Sequence, residues 1–270
     1  MYGIEEGLID WNFSIFDEGF FTLPEDGRIY RDWKEGGHGD TNLFKAITQS
    51  SNTYFFDLAY RSDINQLNKH LSSLGFGDKA CIDCFEEDQV FVPEPSWKMN
   101  KHNFGWFKGD TVNMGVGQGY LVSTPIQLAK YAYIIANKGK FSDLSLKKDL
   151  VKSEKSIEFN KFSNDDWFKL HESMVNVIEG NTGTARRLRE KKNYIVAAKT
   201  GTAELVSGDN REQYSETRLD DSLRDHALII AFGPIPNPRY AVSVVVENGE
   251  SGGSVAGPVA ISVLNSLIQE

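Results

Sequence analysis

Two short clusters in this 270-residue chain carry side chains able to act together on a substrate. Lys199-Thr200-Gly201-Thr202 sets an ammonium beside two hydroxyls and a glycine. Such a lysine can hold a carboxylate, a free backbone N–H at Thr202 can donate to a developing oxyanion, and Gly201 leaves room for a ligand backbone. On its own, a match this short arises often by chance. Ser50-Ser51-Asn52 lies in the polar run Gln49 to Thr53. Residues two apart on a continuous helix point to different sides, so Ser50 and Asn52 can face one site only where the helix breaks. The plain alternative is capping of a second helix by Ser51 or Asn52.

Two further serines need weighing. Gly249-Glu-Ser-Gly-Gly253 has the form of a G-x-S-x-G nucleophile elbow between a strand and a helix. Enzymes of that kind follow the serine with Asp or Glu and then His, and no His follows Ser251, so the segment reads as a Gly-rich turn. Ser145-Leu-Lys-Lys148 is the chain's S-x-x-K, in a polar surface stretch.

The elements that must position these groups follow from periodicity. Leu43, Phe44, Ile47, Tyr54, Phe55, Leu58 and Ala59 fall at helical spacing on either side of the polar run, which predicts two helices meeting at a polar corner. A helix is predicted over Ile64 to Leu74, stopped by Gly75. Another starts at Thr124-Pro125-Ile126-Gln127, with Thr124 as cap, Gln127 as capping-box partner and Asn137 and Gly139 at its end. A further helix covers about Asp165 to Ile178, after a surface connection from Gly139 to Lys161.

Strands are predicted at Tyr194 to Lys199, His226 to Phe232 and Tyr240 to Glu247, the last two joined by the turn-rich Gly233 to Pro238. A C-terminal helix opens at Gly257-Pro258 and runs to about Leu267. The first 40 residues read as loops and short extended pieces. Helices first, then an antiparallel meander closed by a helix, define an α+β layered domain.

The net charge of -9 argues against a broad basic face for nucleic acid. No run reaches the roughly 20 apolar residues that cross a bilayer. Cys81 and Cys84 form one C-x-x-C, open to three readings: half a zinc site, a redox pair, or two small residues in a turn.

S-x-x-K, S-D-N and K-T-G together are the signature of class A β-lactamases and penicillin-binding proteins, and Ser50-Ser51-Asn52 pairs with Lys199-Thr200-Gly201 in that pattern. Gly105-Trp-Phe-Lys-Gly-Asp-Thr-Val-Asn-Met-Gly-Val-Gly-Gln-Gly-Tyr120, Thr124-Pro-Ile-Gln-Leu-Ala129 and Leu223-Arg-Asp-His-Ala-Leu-Ile-Ile-Ala-Phe-Gly-Pro234 resemble the corresponding regions of class B penicillin-binding proteins. So do Tyr30-Arg-Asp-Trp33, Gly37-His-Gly39, Lys199-Thr-Gly-Thr-Ala203 and Val246-Glu-Asn-Gly249, over most of the chain. The likeness is greatest to the elongation-specific penicillin-binding protein 2 group.

This resemblance implies a penicillin-binding/β-lactamase-like transpeptidase fold, with residues 1–270 forming one domain. It implies a D,D-transpeptidase that cross-links peptidoglycan stem peptides through an acyl-serine, binds β-lactams, and works at the periplasmic face of the inner membrane on a single N-terminal anchor, with elongation-machinery membrane proteins as partners.

Carried over residue by residue, Ser50 resembles the proton-relay serine and Asn52 the amide that holds substrate or the motif lysine. Lys199, Thr200, Gly201 and Thr202 resemble the carboxylate- and oxyanion-binding strand. In the family S-x-x-K precedes S-x-N, so the nucleophile and its lysine are expected upstream of Met1, with Glu5 to Ile9 continuing their helix and the chain inactive by itself. No catalytic cofactor is implied. Asp17, Asp32 and His38 resemble three ligands of a zinc site in the penicillin-binding protein 2 group, where the fourth is a cysteine in the middle of S-x-N and this chain has Ser51. Two alternatives remain: a penicillin-recognising hydrolase or sensor, and a non-catalytic module that binds peptidoglycan or elongation partners.

Overall fold

A computed structural model describes residues 1–150, 153–205 and 221–268. The chain opens with a one-turn helix, α1 (Tyr2–Glu5), and four short strands: β1 (Ser14–Asp17), β2 (Phe20–Thr22), β3 (Ile29–Arg31) and β4 (Gly39–Asn42). β1 pairs with β4 and β2 with β3, both antiparallel. The expected helical continuation through Ile9 does not occur. Gly7 takes φ +72°, a conformation that ends helices, and the N–H groups of Leu8 and Ile9 both return to Gly3 O.

The polar corner forms as read. α2 (Leu43–Gln49) ends at Ser50 in the left-handed region (φ 59°, ψ 45°), and α3 (Asn52–Arg61) starts with Ser51 Oγ accepting from Tyr54 N–H. Helix break and serine cap therefore coexist. α4 (Ile64–Ser73) ends before Gly75, whose φ is +86°. Two helices that the periodicity did not predict follow, α5 (Pro95–His102) and α6 (Lys108–Gly115). α7 (Pro125–Ala136) carries the capping box of Thr124 and Gln127. The surface connection holds two-residue strands β5 (Lys140–Phe141) and β6 (Lys155–Ser156), and α8 (Asn164–Glu179) is capped by Ser163.

β7 (Ala197–Ala203), β8 (His226–Gly233) and β9 (Tyr240–Val246) form an antiparallel sheet in that order, and α9 (Gly257–Ile268) closes the chain. β7 lies further along than the apolar run predicts, so the Lys-Thr-Gly-Thr motif sits within the strand, with Lys199 opposite Ile230 and Thr202 opposite Ala227. Polar residues are tolerated there because β7 is the sheet's edge strand, paired on one side only. Strand side chains alternate between faces. Ala198, Ala227, Ile229 and Ala231 pack against Ala260, Ile261 and Leu264 of α9, while Ala197 and Phe232 pack against Ile135 of α7 and Trp167 and Met174 of α8. The sheet is thus buried between helices on both faces, the α+β layering the sequence predicts.

Candidate active site

Alternation places Lys199 on the face of Ala197, toward α8 and the α2–α3 corner. Its Nζ donates to Ser50 Oγ at 2.6 Å and to Thr200 O at 2.8 Å, joining residues 149 positions apart. Desolvation in this setting lowers the Lys199 ammonium from an ordinary 10.5 to about 8. Thr200 and Thr202 lie on the opposite face, so their hydroxyls do not flank the ammonium directly. Thr200 Oγ1 sits 2.7 Å from Thr184 Oγ1, and Thr202 Oγ1 donates to Glu250 O at 3.5 Å.

What these residues share is the open edge of β7. Gln118 Nε2, from the Gly-Gln-Gly segment after α6, donates to Thr202 O at 2.9 Å. The N–H and C=O of one extended residue point the same way, so the Thr202 N–H lies along that edge too. A Cβ on Gly201 would meet only the Leu228 side chain, at 3.4 Å, leaving the strand slim. The close approach is made by Gly252, where a Cβ would come within 2.2 Å of Leu228 O and 2.6 Å of Gly201 O. The Gly249 to Gly253 segment is accordingly the turn that braces β7, with Ser251 Oγ accepting from Ser254 N–H as a cap.

Asn52, the first residue of α3, is half-buried beside the corner, and its amide has no hydrogen-bond partner among the described residues. The corner is pinned from outside by the Trp33 indole N–H, which donates to Ser50 O at 2.9 Å and Gln49 O at 3.2 Å. From below it rests on Asp17, Asp32 and His38, which come together as predicted and are buried. Ser51 Oγ donates to Asp17 Oδ2 at 2.6 Å, and the same oxygen lies 2.8 Å from His38 Nδ1. Asp32 Oδ2 accepts from Thr53 N–H at 2.9 Å and Thr53 Oγ1 at 3.2 Å. Burial alone would raise the Asp17 carboxyl, but hydrogen bonds from Ser51, the Gly19 N–H, His38 and Thr53 outweigh it and hold the group below the usual carboxylate value.

As a zinc site this set is poorly matched. Asp17 Oδ1 accepts from Gly19 N–H and Asp32 Oδ1 from Lys34 N–H, so each of the four carboxylate oxygens already has a protein donor. Ser51, which stands where the thiolate would be, gives its proton to Asp17 and a lone pair to Tyr54 N–H, and a hydroxyl is a far weaker zinc ligand than a thiolate. His38 Nε2 is buried with no partner.

Cys81 and Cys84 are joined in a disulfide that closes a turn, which sets aside the half-site reading. Ser145 is held next to it, donating to Asp83 Oδ2 at 2.8 Å, with no hydrogen bond to Lys199 or Ser50 among the described residues. Sequence reasoning missed Trp33, Thr53 and Thr184 as parts of the site. The Gly-Gln-Gly motif was the available signal for Gln118.

An edge strand that offers a lysine and free backbone donors to a Ser-x-Asn corner, over a sheet buried between helices, is the layout of penicillin-recognising serine acyltransferases. The family model "Penicillin binding protein transpeptidase domain" matches residues 1–265, and the chain belongs to that family. It is 36% identical to the peptidoglycan D,D-transpeptidase MrdA of Haemophilus influenzae over 98% of this chain and 42% of that protein. Pseudomonas aeruginosa PBP2, solved in complex with WCK 5153, superposes with a TM-score of 0.87 at 34% identity, covering 100% of this chain and 58% of that one. Helicobacter pylori PBP2, solved in complex with MreC, gives 0.85 at 30% identity, over 98% of this chain and 48% of that one. The chain spans about two fifths of the length of the curated relatives it matches.

Proposed function

We propose that this domain works in a D,D-transpeptidase that cross-links peptidoglycan stem peptides. The observation that carries the reading is the 2.6 Å bond from Lys199 to Ser50, made across the chain beside an open strand edge. A substrate lying along β7 adds to the sheet edge, meets Gly201 without a Cβ, and presents its terminal carboxylate to Lys199 and the Thr200–Thr202 strand. A serine Oγ attacks the penultimate D-Ala carbonyl, and the oxyanion that forms takes the Thr202 N–H. Removing one such donor costs on the order of a hundredfold in rate. The C–N bond breaks and D-Ala leaves with the serine's proton, relayed through Ser50. An amine of a second stem peptide then attacks the ester and frees the serine. Asn52 holds the substrate or the motif lysine.

The attacking serine belongs to an S-x-x-K segment that precedes the Ser50-Ser51-Asn52 motif in the order of the family. Ser145, in the S-x-x-K found within these residues, supports this, since it is bonded to Asp83 beside the disulfide and not to Lys199 or Ser50. β-Lactams, which mimic D-Ala-D-Ala, acylate the same serine. The whole protein acts at the periplasmic face of the inner membrane, anchored by an N-terminal span, with elongation-machinery membrane proteins as partners; the MreC complex of the Helicobacter pylori relative supports that partnership. No cofactor enters the reaction, and the zinc expectation is not carried forward.

The test is labelling with a fluorescent penicillin, comparing this chain with one extended upstream through the S-x-x-K motif. Covalent label on the extended protein alone is expected. Folded protein that labels in neither form refutes the enzyme reading and favours a binding module.

A further inference from the structure

The buried cluster beneath the corner has a geometry that the proposed reaction does not use directly. Asp17 and Asp32 are both fully buried at their side chains, as is His38 within 1%. They are reached from two different strand pairs, β1 with β4 and β2 with β3, so the cluster ties both to α3. Gly37 enforces the approach, since a Cβ there would lie 2.2 Å from Asp17 O. Each acid grips a different residue of one turn: Asp17 takes the Ser51 hydroxyl, and Asp32 takes the Thr53 N–H and hydroxyl. Ser51 and Thr53 flank Asn52, and Ser51 follows Ser50, which sits in the strained left-handed conformation that aims its hydroxyl at Lys199. Buried carboxylates are tolerated when their oxygens are filled by hydrogen bonds, and here all four are.

We propose that Asp17 and Asp32 are positioning residues that lock the Ser50-Ser51-Asn52 corner by hydrogen bonds alone, with the Ser51 hydroxyl replacing a metal–thiolate link. Ser51 is what makes the lock independent of metal. A thiolate cannot donate to Asp17, whereas the hydroxyl satisfies the carboxylate and caps α3 at once. The link from lock to rate rests on the proposed transpeptidase reading; the metal independence does not.

Two measurements on the full-length protein test this. The first is metal content by mass spectrometry, with the melting temperature read with and without chelator and added zinc. The expected result is no stoichiometric metal and no shift in melting temperature for the native protein, while Ser51→Cys takes up about one zinc per chain and is stabilised by it. One tightly bound zinc in the native protein, with a chelator-induced fall in melting temperature, overturns the proposal.

The second is the penicillin acylation rate. Ser51→Ala is expected to slow it on the order of tenfold, since it removes both the hydrogen bond to the Asp17 carboxylate and the cap on the Tyr54 N–H, and zinc added to Ser51→Cys is expected to restore it. Unchanged acylation in a folded Ser51→Ala protein overturns the positioning role. If even the native protein fails to acylate, the transpeptidase reading fails, and the metal and melting data still decide whether the lock is metal-free.

Discussion

Replacing Lys199 by Met tests whether its ammonium sits where the structure puts it. Burial lowers the group to about 8 from an ordinary 10.5. In the unfolded chain the lysine keeps its proton up to the higher value, and in the folded protein it releases it at the lower one. Between the two, the unfolded state binds more protons, so stability rises with pH. At about 1.4 kcal/mol for each tenfold change in proton concentration, the native protein should gain ~3 kcal/mol over Lys199→Met between pH 8 and 10.5. Below pH 8 the cost of the buried charge is present in full, so the variant loses little stability there despite losing the bonds to Ser50 and Thr200. Urea unfolding of both proteins at intervals from pH 7 to 10.5 reads the difference, in which the other titrating groups cancel. A difference that stays flat across this range would mean a solvated ammonium, and with it no desolvated site between β7 and the corner.

Gly252→Ala should lower stability by about 2–4 kcal/mol, because the new Cβ meets backbone oxygens of Leu228 and Gly201 that cannot swing away; thermal melting checks this. Trp33→Phe removes two indole hydrogen bonds to the corner carbonyls at an exposed site. It should cost about 1 kcal/mol or less in stability while slowing penicillin acylation of the full-length protein several-fold. Glu5 accepts backbone N–H bonds from Asn160, Lys161 and Phe162. Burial works to raise its carboxyl, yet these bonds hold it below the usual value. A lowered folded value adds stability above about pH 4 that is lost as pH falls further, so the advantage over Glu5→Gln should be present at pH 7 and shrink below pH 4 in unfolding measurements.

The parts of the fold that were legible are those whose signal is local. Thr124 and Gln127 announce a helix start through their own spacing, and the polar run at Gln49 to Thr53 marks the corner because it interrupts an apolar period on both sides. α6 escaped because its buried face is built from Gly109, Thr111, Val112 and Met114, too mixed to show a helical period. The four strands of the first 42 residues are three or four residues long, too short for alternation to register. β7 was placed early because its second half is polar, and an edge position is a tertiary fact. In the site, Lys199 and Ser50 were legible as motifs, whereas the contact of Gln118 with Thr202, 84 residues away, exists only in the folded chain. The trio of Asp17, Asp32 and His38 was found by resemblance; what it does to Ser51 and Thr53 required the geometry.

The most direct test of the central claim is to acylate the full-length protein with a β-lactam and map the modified peptide by mass spectrometry. The account predicts an adduct on the serine of an S-x-x-K motif upstream of this chain, lost or strongly slowed in Lys199→Ala and Ser50→Ala. An adduct on Ser50 or Ser145, or none at all on folded protein, would contradict it.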